Sequence, residues 1–170
     1  AIKKISENPE WQVIITTHSS YIVKELSKAN INPIVVKRDE KENVSTISKT
    51  EGRVLPYVSM NEINYIAFDL PSIEYHQELF ARLQNESKTV DGVDGMFEKE
   101  YDWYQIDKKG KLLFKDGAEI KRTHSLPYCV RNQIDHPNPK NEQYTNDYLI
   151  KKSIEIMRKA IIEGINWWIE

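Results

Sequence analysis

Cysteine is almost absent from this sequence: Cys129 is the only one among 170 residues. A single cysteine excludes an intramolecular disulfide scaffold and favours a reducing, cytosolic setting. No apolar run approaches the ~20 residues that a membrane-spanning helix needs, and no signal-peptide pattern is visible. The chain is 39% hydrophobic and 29% charged, with a formal net charge of -2. This composition is typical of a globular protein and not of a disordered or strongly basic chain.

Metal ligands and phosphate-binding loops are also scarce. The four histidines and one cysteine show no recognisable zinc-ligand spacing, so we predict no metal site in this chain. The phosphate-cradling motif G-x-x-x-x-G-K-[ST] is missing, and we expect no ATP hydrolysis by the chain alone. The sequence starts at Ala1, within a helix-like pattern. We expect the N-terminal part of a larger protein to precede it.

Residues 1–54 follow an α/β pattern. A nearly continuous apolar run, "WQVIIT" at 11–16, is typical of a strand buried on both faces. Ser19 or Ser20 can cap a helix that lasts to about Lys28. Two more strands are predicted at 32–39 and 44–50, on either side of the turn "DEKEN". The order of strand, helix, strand and strand in this part is typical of the end of an α/β layer.

Residues 55–170 follow a mostly helical pattern. Ser59, with Glu62 three positions on, predicts a capping box and a helix as far as Pro71. A second helix or a kinked continuation is predicted at 72–86, with a buried stripe of Ile73, Leu79, Phe80 and Leu83. Further helices are predicted over "LPYCVRNQID", which Pro127 can begin, and from Thr145 or Asn146 to near the C-terminus. The last helix has an apolar stripe at Ile150, Ile154, Met157, Ile161, Ile165 and Trp168. Between these helices, "VDGVDGM" predicts turns and "HPNPKNEQ" predicts a loop. Residues 101–122 are predicted to form a β-hairpin insertion.

His18 lies where the first apolar run ends and the first helix begins. In open α/β sheets, ligands bind at the carboxyl ends of the strands. The stretch "VIITTHSSYIVKEL" resembles the switch-histidine region of ABC-type ATPases, the AAA branch that includes the SMC, RecF and OLD-like proteins. The resemblance implies that His18 senses the γ-phosphate, with ATP and Mg bound in the full-length protein. The alternative is that His18 only caps the following helix.

A second histidine lies in "RNQIDH", which runs from Arg131 to His136. An arginine, a polar residue and a histidine five positions after the arginine resemble the R-x4-6-H motif of HEPN domains, and Asn132 fits the polar position. The resemblance covers 55–170. It implies a small helical bundle that commonly dimerises with its motifs facing each other. Many HEPN domains are metal-independent ribonucleases of bacterial toxin and antiviral systems, and some are catalytically silent.

The residue types suit metal-free RNA cleavage. A 2′-hydroxyl must lose its proton as it attacks the phosphate, and the departing 5′-oxygen must gain one. Histidine, with a pKa near ~6.5, suits either transfer. An arginine can hold the phosphorane with two parallel hydrogen bonds. Residues five apart on a helix point ~140° away from each other, so Arg131 and His136 converge only if the helix unwinds near Pro137.

Weaker candidates accompany the two motifs. Glu74 on an early helix could orient the site, as in the anticodon-nuclease branch that this architecture resembles, or it is an exposed helix carboxylate. The hairpin-tip lysines are candidates for RNA contacts or for a solvated turn: Lys108, Lys109 and Lys111. His76 is predicted to be a surface or packing residue, and His124 a helix-entry residue. Cys129 is expected to be a small buried helix residue rather than a nucleophile.

The sequence therefore predicts an α/β remnant of an ABC-type ATPase sheet followed by a HEPN-like helical bundle with a β-hairpin insertion. The predicted function is a metal-independent endoribonuclease of cytoplasmic bacterial antiphage defence, regulated by the ATPase. Expected partners are RNA, with tRNA as one candidate, the N-terminal part of the ATPase and a second copy of the chain. One alternative is an inactive assembly module that joins the ATPase to a separate effector. Another is a DNA-repair ATPase with a structural helical tail.

Overall fold

The computed structural model describes residues 14–28, 34–39, 44–49, 52–100, 103 and 123–164. This part of the chain is mostly helical, as predicted. Its helices are α1 Ser20–Lys28, α2 Met60–Phe68, α3 Ile73–Ser87, α4 Val90–Met96, α5 Leu126–Asp135 and α6 Asp147–Glu163. Its strands are β1 Ile34–Asp39 and β2 Val44–Lys49, and its 3-10 turns are Glu98–Glu100 and Pro139–Thr145.

The N-terminal region contains less sheet than the sequence predicted. β1 and β2 pair antiparallel, with Ile34 opposite Lys49, which confirms the two strands. The turn predicted between them lies outside the described residues. The strand predicted at 11–16 is not found in its described part: residues 14–16 have no regular secondary structure, and Ile14 is 78% exposed. Residues 11–13 lie outside the described part. A strand needs a neighbour to satisfy its backbone groups, and no described strand pairs with this segment.

The predicted boundary near residue 54 lies within the core. Val54 and Leu55 are both buried and belong to the main hydrophobic cluster of the helices. On the N-terminal side, α1 packs against α2, and its Val23 is buried. α1 of the first predicted region therefore packs on α2 of the second.

Caps separate α2 and α3, so 72–86 is a second helix and not a kinked continuation. The Ser59 hydroxyl accepts hydrogen bonds from the first turn of α2, and Ser72 does the same for α3. Asp69 ends α2 with φ 56°. The predicted buried stripe of α3 is confirmed at Leu79, Phe80 and Leu83, but Ile73 is 36% exposed. Ile73 begins the helix, where fewer neighbours surround a side chain.

α4 corrects the prediction of turns in "VDGVDGM". Two glycines lowered the expected helix propensity, but Thr89 caps the helix by accepting from the N–H of Gly92, 2.9 Å away. A Cβ on Gly92 would lie 2.9 Å from the Cβ of Ser87, so this turn requires a glycine there. The loop predicted after α5 is also more regular than expected, because much of it forms the 3-10 turn Pro139–Thr145.

The entry to α5 is fixed by a buried aspartate. Asp94 on α4 accepts hydrogen bonds from the backbone N–H and the hydroxyl of Ser125, at 2.9 and 2.8 Å, and its other oxygen lies 2.7 Å from His124 Nδ1. His124 also pairs with Trp103 through the backbone. This confirms His124 as a helix-entry residue and brings the two ends of the predicted insertion together. Residues 101–102 and 104–122 lie outside the described part.

α6 forms the centre of the bundle and packs against α3 and α5. Its predicted apolar stripe is confirmed by three buried residues, Ile150, Ile154 and Met157. Ile161, also in the predicted stripe, is half-buried against the core, and Ile165 and Trp168 lie outside the described residues. No helix of the described residues is long and apolar enough to cross a membrane.

A buried ion pair ties α6 to the start of the helical region. Arg158 Nη1 lies 3.6 Å from Glu62 Oε1 and donates to the Tyr75 hydroxyl at 2.5 Å. The same Glu62 oxygen accepts from the backbone N–H of Val54 and Leu55 at 2.6 and 3.2 Å. Burial raises the pKa of the Tyr75 phenol well above its usual value, so the phenol stays protonated and donates to Glu62. The Glu62 carboxylate therefore binds the preceding segment instead of completing the predicted capping box.

His76 is a fully buried packing residue on α3. Its Nε2 lies 2.9 Å from the hydroxyl of Ser153 on α6, and its ring stacks on Phe80. Burial lowers the pKa of His76 to about 3, since a charged imidazole would lose its hydration.

We expect His76 to make the fold sensitive to acid. Its folded pKa is about 3 and its unfolded pKa is ~6.5. The unfolded state therefore binds more protons between these values, and stability is present above ~6.5 and lost as the pH falls. One group of this kind can lower the free energy of unfolding by at most ~1.4 kcal/mol per pH unit. Denaturant titrations at about pH 7.5 and about pH 5 should show a ~2 kcal/mol larger loss of stability for the wild type than for His76→Gln. Equal losses would contradict the prediction.

Candidate functional site

The "RNQIDH" motif lies at the carboxyl end of α5, where the helix unwinds as predicted. Asp135 is the last helical residue, and His136 follows with φ −133° and ψ 70°. The His136 N–H still donates to the carbonyl of Asn132 at 2.8 Å. Pro137 comes next and cannot donate to a continuing helix. The backbone of His136 is therefore no longer helical, although its N–H still makes the last hydrogen bond of α5.

The Arg131 guanidinium is held from three sides. Its Nη2 lies 2.7 Å from Asp135 Oδ2, and its Nη1 donates to Asn132 Oδ1 at 2.9 Å. Its Cζ lies 6.0 Å from the centre of the Phe80 ring on α3. A guanidinium has five N–H donors, so these two bonds leave donors for a phosphate. Asn132 and Asp135 together hold the guanidinium in place.

His136 is exposed, and no hydrogen bond or ion pair of its imidazole is found with any described residue. Both ring nitrogens are therefore open to hydrogen bonds with a molecule that binds there. Glu74 is exposed in the first turn of α3. No hydrogen bond or ion pair joins it to Arg131 or His136, so its predicted contact with the motif is not made in this conformation.

A groove lies directly beside the motif. Its volume is about 480 Å³, and its lining takes Ile73 from α3, the last turns of α5 and the 3-10 turn Pro139–Thr145. In the chain, His136 comes between Ile134 and Pro137, which both line the groove, and Glu74 follows the lining residue Ile73.

Comparison with known proteins does not assign this chain to a family. No family model, no curated protein sequence and no solved structure matches the chain. The function must therefore be argued from the residues and their geometry.

Sequence reasoning missed two features of this site. Asp135 is part of the motif by position, and its spacing of four from Arg131 is the one that joins charged residues on a helix. That spacing was the signal that could have found it. The groove had no such signal, because it depends on the 3-10 turn that was predicted to be a loop.

His18 is exposed immediately before α1. The Ser19 N–H is satisfied by Thr17 Oγ1 at 3.0 Å, and the Ser19 carbonyl accepts the first helical bond from Val23. No hydrogen bond of the His18 imidazole to α1 is found, which disfavours the view that His18 only caps the helix.

Of the remaining candidates, the structure describes Cys129 but not the hairpin lysines. Lys108, Lys109 and Lys111 lie outside the described residues. Cys129 is buried, and burial raises the pKa of its thiol to about 12, which leaves almost no thiolate at neutral pH. Within the described part of the chain, no group of three or more histidine, cysteine or carboxylate residues could hold a metal ion.

Proposed function

We propose that residues 55–170 form a HEPN-like endoribonuclease that cleaves RNA without a metal. The observation that carries the proposal is the geometry at the end of α5. A fixed arginine and an exposed histidine, for which no partner is found among the described residues, belong to a motif whose Gln133 and Ile134 line a groove. This arrangement supports a site that binds a phosphate and moves a proton next to it.

In the proposed reaction, Arg131 binds the non-bridging oxygens of the scissile phosphate through its remaining N–H donors. As the 2′-oxygen attacks phosphorus, negative charge builds on these oxygens, and the fixed guanidinium stabilises it. His136 takes the proton of the 2′-hydroxyl or gives one to the departing 5′-oxygen. The products are a 2′,3′-cyclic phosphate and a 5′-hydroxyl.

Two proton transfers require two groups. The exposed position of His136 allows a second copy of the chain to bring its own motif to the same phosphate. In a symmetric pair, one His136 acts as base and the other as acid. We therefore propose a homodimer or a higher oligomer as the active form.

Regulation is proposed to come from an ABC-type ATPase part, to which residues 1–54 belong. An exposed His18 at the start of α1 supports contact with a γ-phosphate held, with Mg, by the rest of the full-length protein. Packing of α1 on α2 and of Val54 in the helical core gives a mechanical connection to the nuclease. A role in antiphage defence, in the bacterial cytoplasm, completes the proposal.

The direct test is incubation of total bacterial RNA with this chain in excess EDTA. Discrete cleavage products would support the ribonuclease. A lack of cleavage by the chain and by the full-length protein, with and without ATP, would overturn it.

An assembly module is the second candidate function. It is favoured by apolar side chains that are exposed in the N-terminal region, including Ile14, Tyr21, Ile34 and Val36. Such side chains can mark a contact with another protein. Tight oligomerisation or capture of a separate effector without RNA cleavage would favour this function.

Asp135 is expected to compete with RNA for Arg131. The Asp135→Asn substitution removes the carboxylate, and exposed pairs of this kind contribute ~0.2–1 kcal/mol. We therefore expect single-stranded RNA to bind about two- to five-fold more tightly, measured by fluorescence anisotropy in a His136→Ala background. Asp91→Asn removes an equal charge from the exposed face of α4 and serves as the control. Equal or weaker binding by Asp135→Asn relative to this control would contradict the prediction.

A further inference from the structure

The groove beside the motif has the size of a small-ligand site. Its volume of about 480 Å³ lies within the ~300–1,000 Å³ that is usual for such sites. Two residues of the motif, Gln133 and Ile134, line it, and so does Pro137, which follows His136 in the chain.

The frame of the groove is already formed. The side-chain amide of Gln133 donates to the carbonyl of Asn138 and accepts from its N–H, both at 3.1 Å. The Asn138 side chain caps the 3-10 turn by accepting from the N–H of Lys140 at 3.1 Å. At the other end of the turn, the Thr145 hydroxyl donates to the carbonyl of Glu142 at 2.8 Å. A preformed frame lowers the entropy cost of binding.

The lining combines apolar walls with one charged acceptor. Ile73, Ile134, Pro137 and Pro139 present apolar surfaces, which suit the face of a planar ring. Glu142 is exposed at the same groove, and its carboxylate makes no hydrogen bond or ion pair with a described residue. A carboxylate only accepts hydrogen bonds, so its natural partner is a group with two adjacent donors.

We infer that the groove binds an unpaired guanine base of single-stranded RNA, next to the phosphate held by Arg131. Guanine presents N1–H and the N2 amino group side by side, and a carboxylate can accept from both. Adenine, cytosine and uracil place an acceptor beside their donor on that edge, and this acceptor would face the Glu142 carboxylate. Unpaired RNA bases are commonly recognised on this edge while their faces pack on side chains. The inference rests on the proposed ribonuclease for the scissile phosphate.

The test is a titration of this chain with guanosine 3′-monophosphate, followed by NMR of ¹³C-labelled isoleucine methyl groups. Ile73→Val and Ile134→Val assign the two signals from the groove. We expect both signals to shift in a saturable way. Inosine 3′-monophosphate lacks the N2 amino group and should bind about ten-fold more weakly, because a hydrogen bond to a charged group is lost. The adenosine, cytidine and uridine monophosphates should also bind more weakly.

Glu142→Gln is the decisive variant, since it keeps the size of the side chain and removes its charge. It should abolish the preference for guanosine over inosine, whereas Glu98→Gln, at another exposed carboxylate, should leave the preference intact. Unshifted Ile73 and Ile134 signals, or a preference that survives in Glu142→Gln, would overturn the inference. If cleavage in EDTA persists in that case, the ribonuclease stands and only the guanine site fails. A guanosine preference in a protein that cleaves no RNA would support the guanine site and overturn the ribonuclease.

Discussion

His136→Ala should lower the rate of RNA cleavage by a factor of about 10²–10⁴, the usual contribution of a general acid or base. Arg131, Asn132 and Asp135 hold one another on the helix and do not need the imidazole. The substitution therefore removes the proton-transfer group and leaves the phosphate-binding group in position. The measurement is the initial rate of cleavage of a single-stranded RNA in EDTA.

The fold should tolerate this change. His136 is exposed, and its only described hydrogen bond is that of the backbone N–H to Asn132, which alanine preserves. We expect the free energy of unfolding to change by less than ~0.5 kcal/mol. Tyr148→Ala is the control, because Tyr148 is exposed and lies outside the motif and the groove. Cleavage by His136→Ala at the rate of the Tyr148→Ala protein would remove His136 from the mechanism.

Arg158→Met should destabilise the fold by about 3–5 kcal/mol, because it leaves the Glu62 carboxylate buried without its cation. Arg158 is 2% exposed and Glu62 0%, so water cannot replace the lost partner. Arg158 also donates to the carbonyl of Gly52 at 3.1 Å, and this bond disappears as well. Domains commonly have only ~5–15 kcal/mol of stability. The loss should therefore be obvious in a urea titration.

An exposed ion pair provides the control. Lys151 lies 2.8 Å from Asp69, with both side chains more than a third exposed, and Lys151→Met should cost less than ~1 kcal/mol. The double variant Glu62→Gln, Arg158→Met should lose less stability than the sum of the losses in the two single variants. Each single variant leaves one buried charge without a partner, whereas the double variant removes both charges. If Arg158→Met costs no more than Lys151→Met, the buried pair does not stabilise the fold.

Local signals in the sequence were enough to predict most of the helices. Ser59 and Ser72 are strong caps, Pro127 suits the start of a helix, and the apolar stripe of α6 follows the helical period. The failures also have a local cause. Gly92 lowered the expected helix propensity of α4, whereas the structure requires a residue without a Cβ at that point.

The candidate site was predicted only in part, because part of it is tertiary. Arg131, Asn132 and His136 are close in sequence, and the unwinding before Pro137 follows from the proline. The stacking of Arg131 near Phe80 and the contribution of Ile73 to the groove join α3 to α5. Neither contact can be recognised from the sequence, since both depend on how the helices pack. The partner of Glu62 was missed for the same reason, because Arg158 lies on a distant helix.

The central claim is that this chain cleaves RNA by attack of the 2′-hydroxyl, with Arg131 and His136 at the phosphate. The most direct test is to analyse the ends of the RNA fragments that are produced in excess EDTA. The account predicts 2′,3′-cyclic phosphate and 5′-hydroxyl ends in the wild-type reaction and their loss with His136→Ala. Fragments with 5′-phosphate ends, or cleavage that stops when EDTA is added, would contradict it.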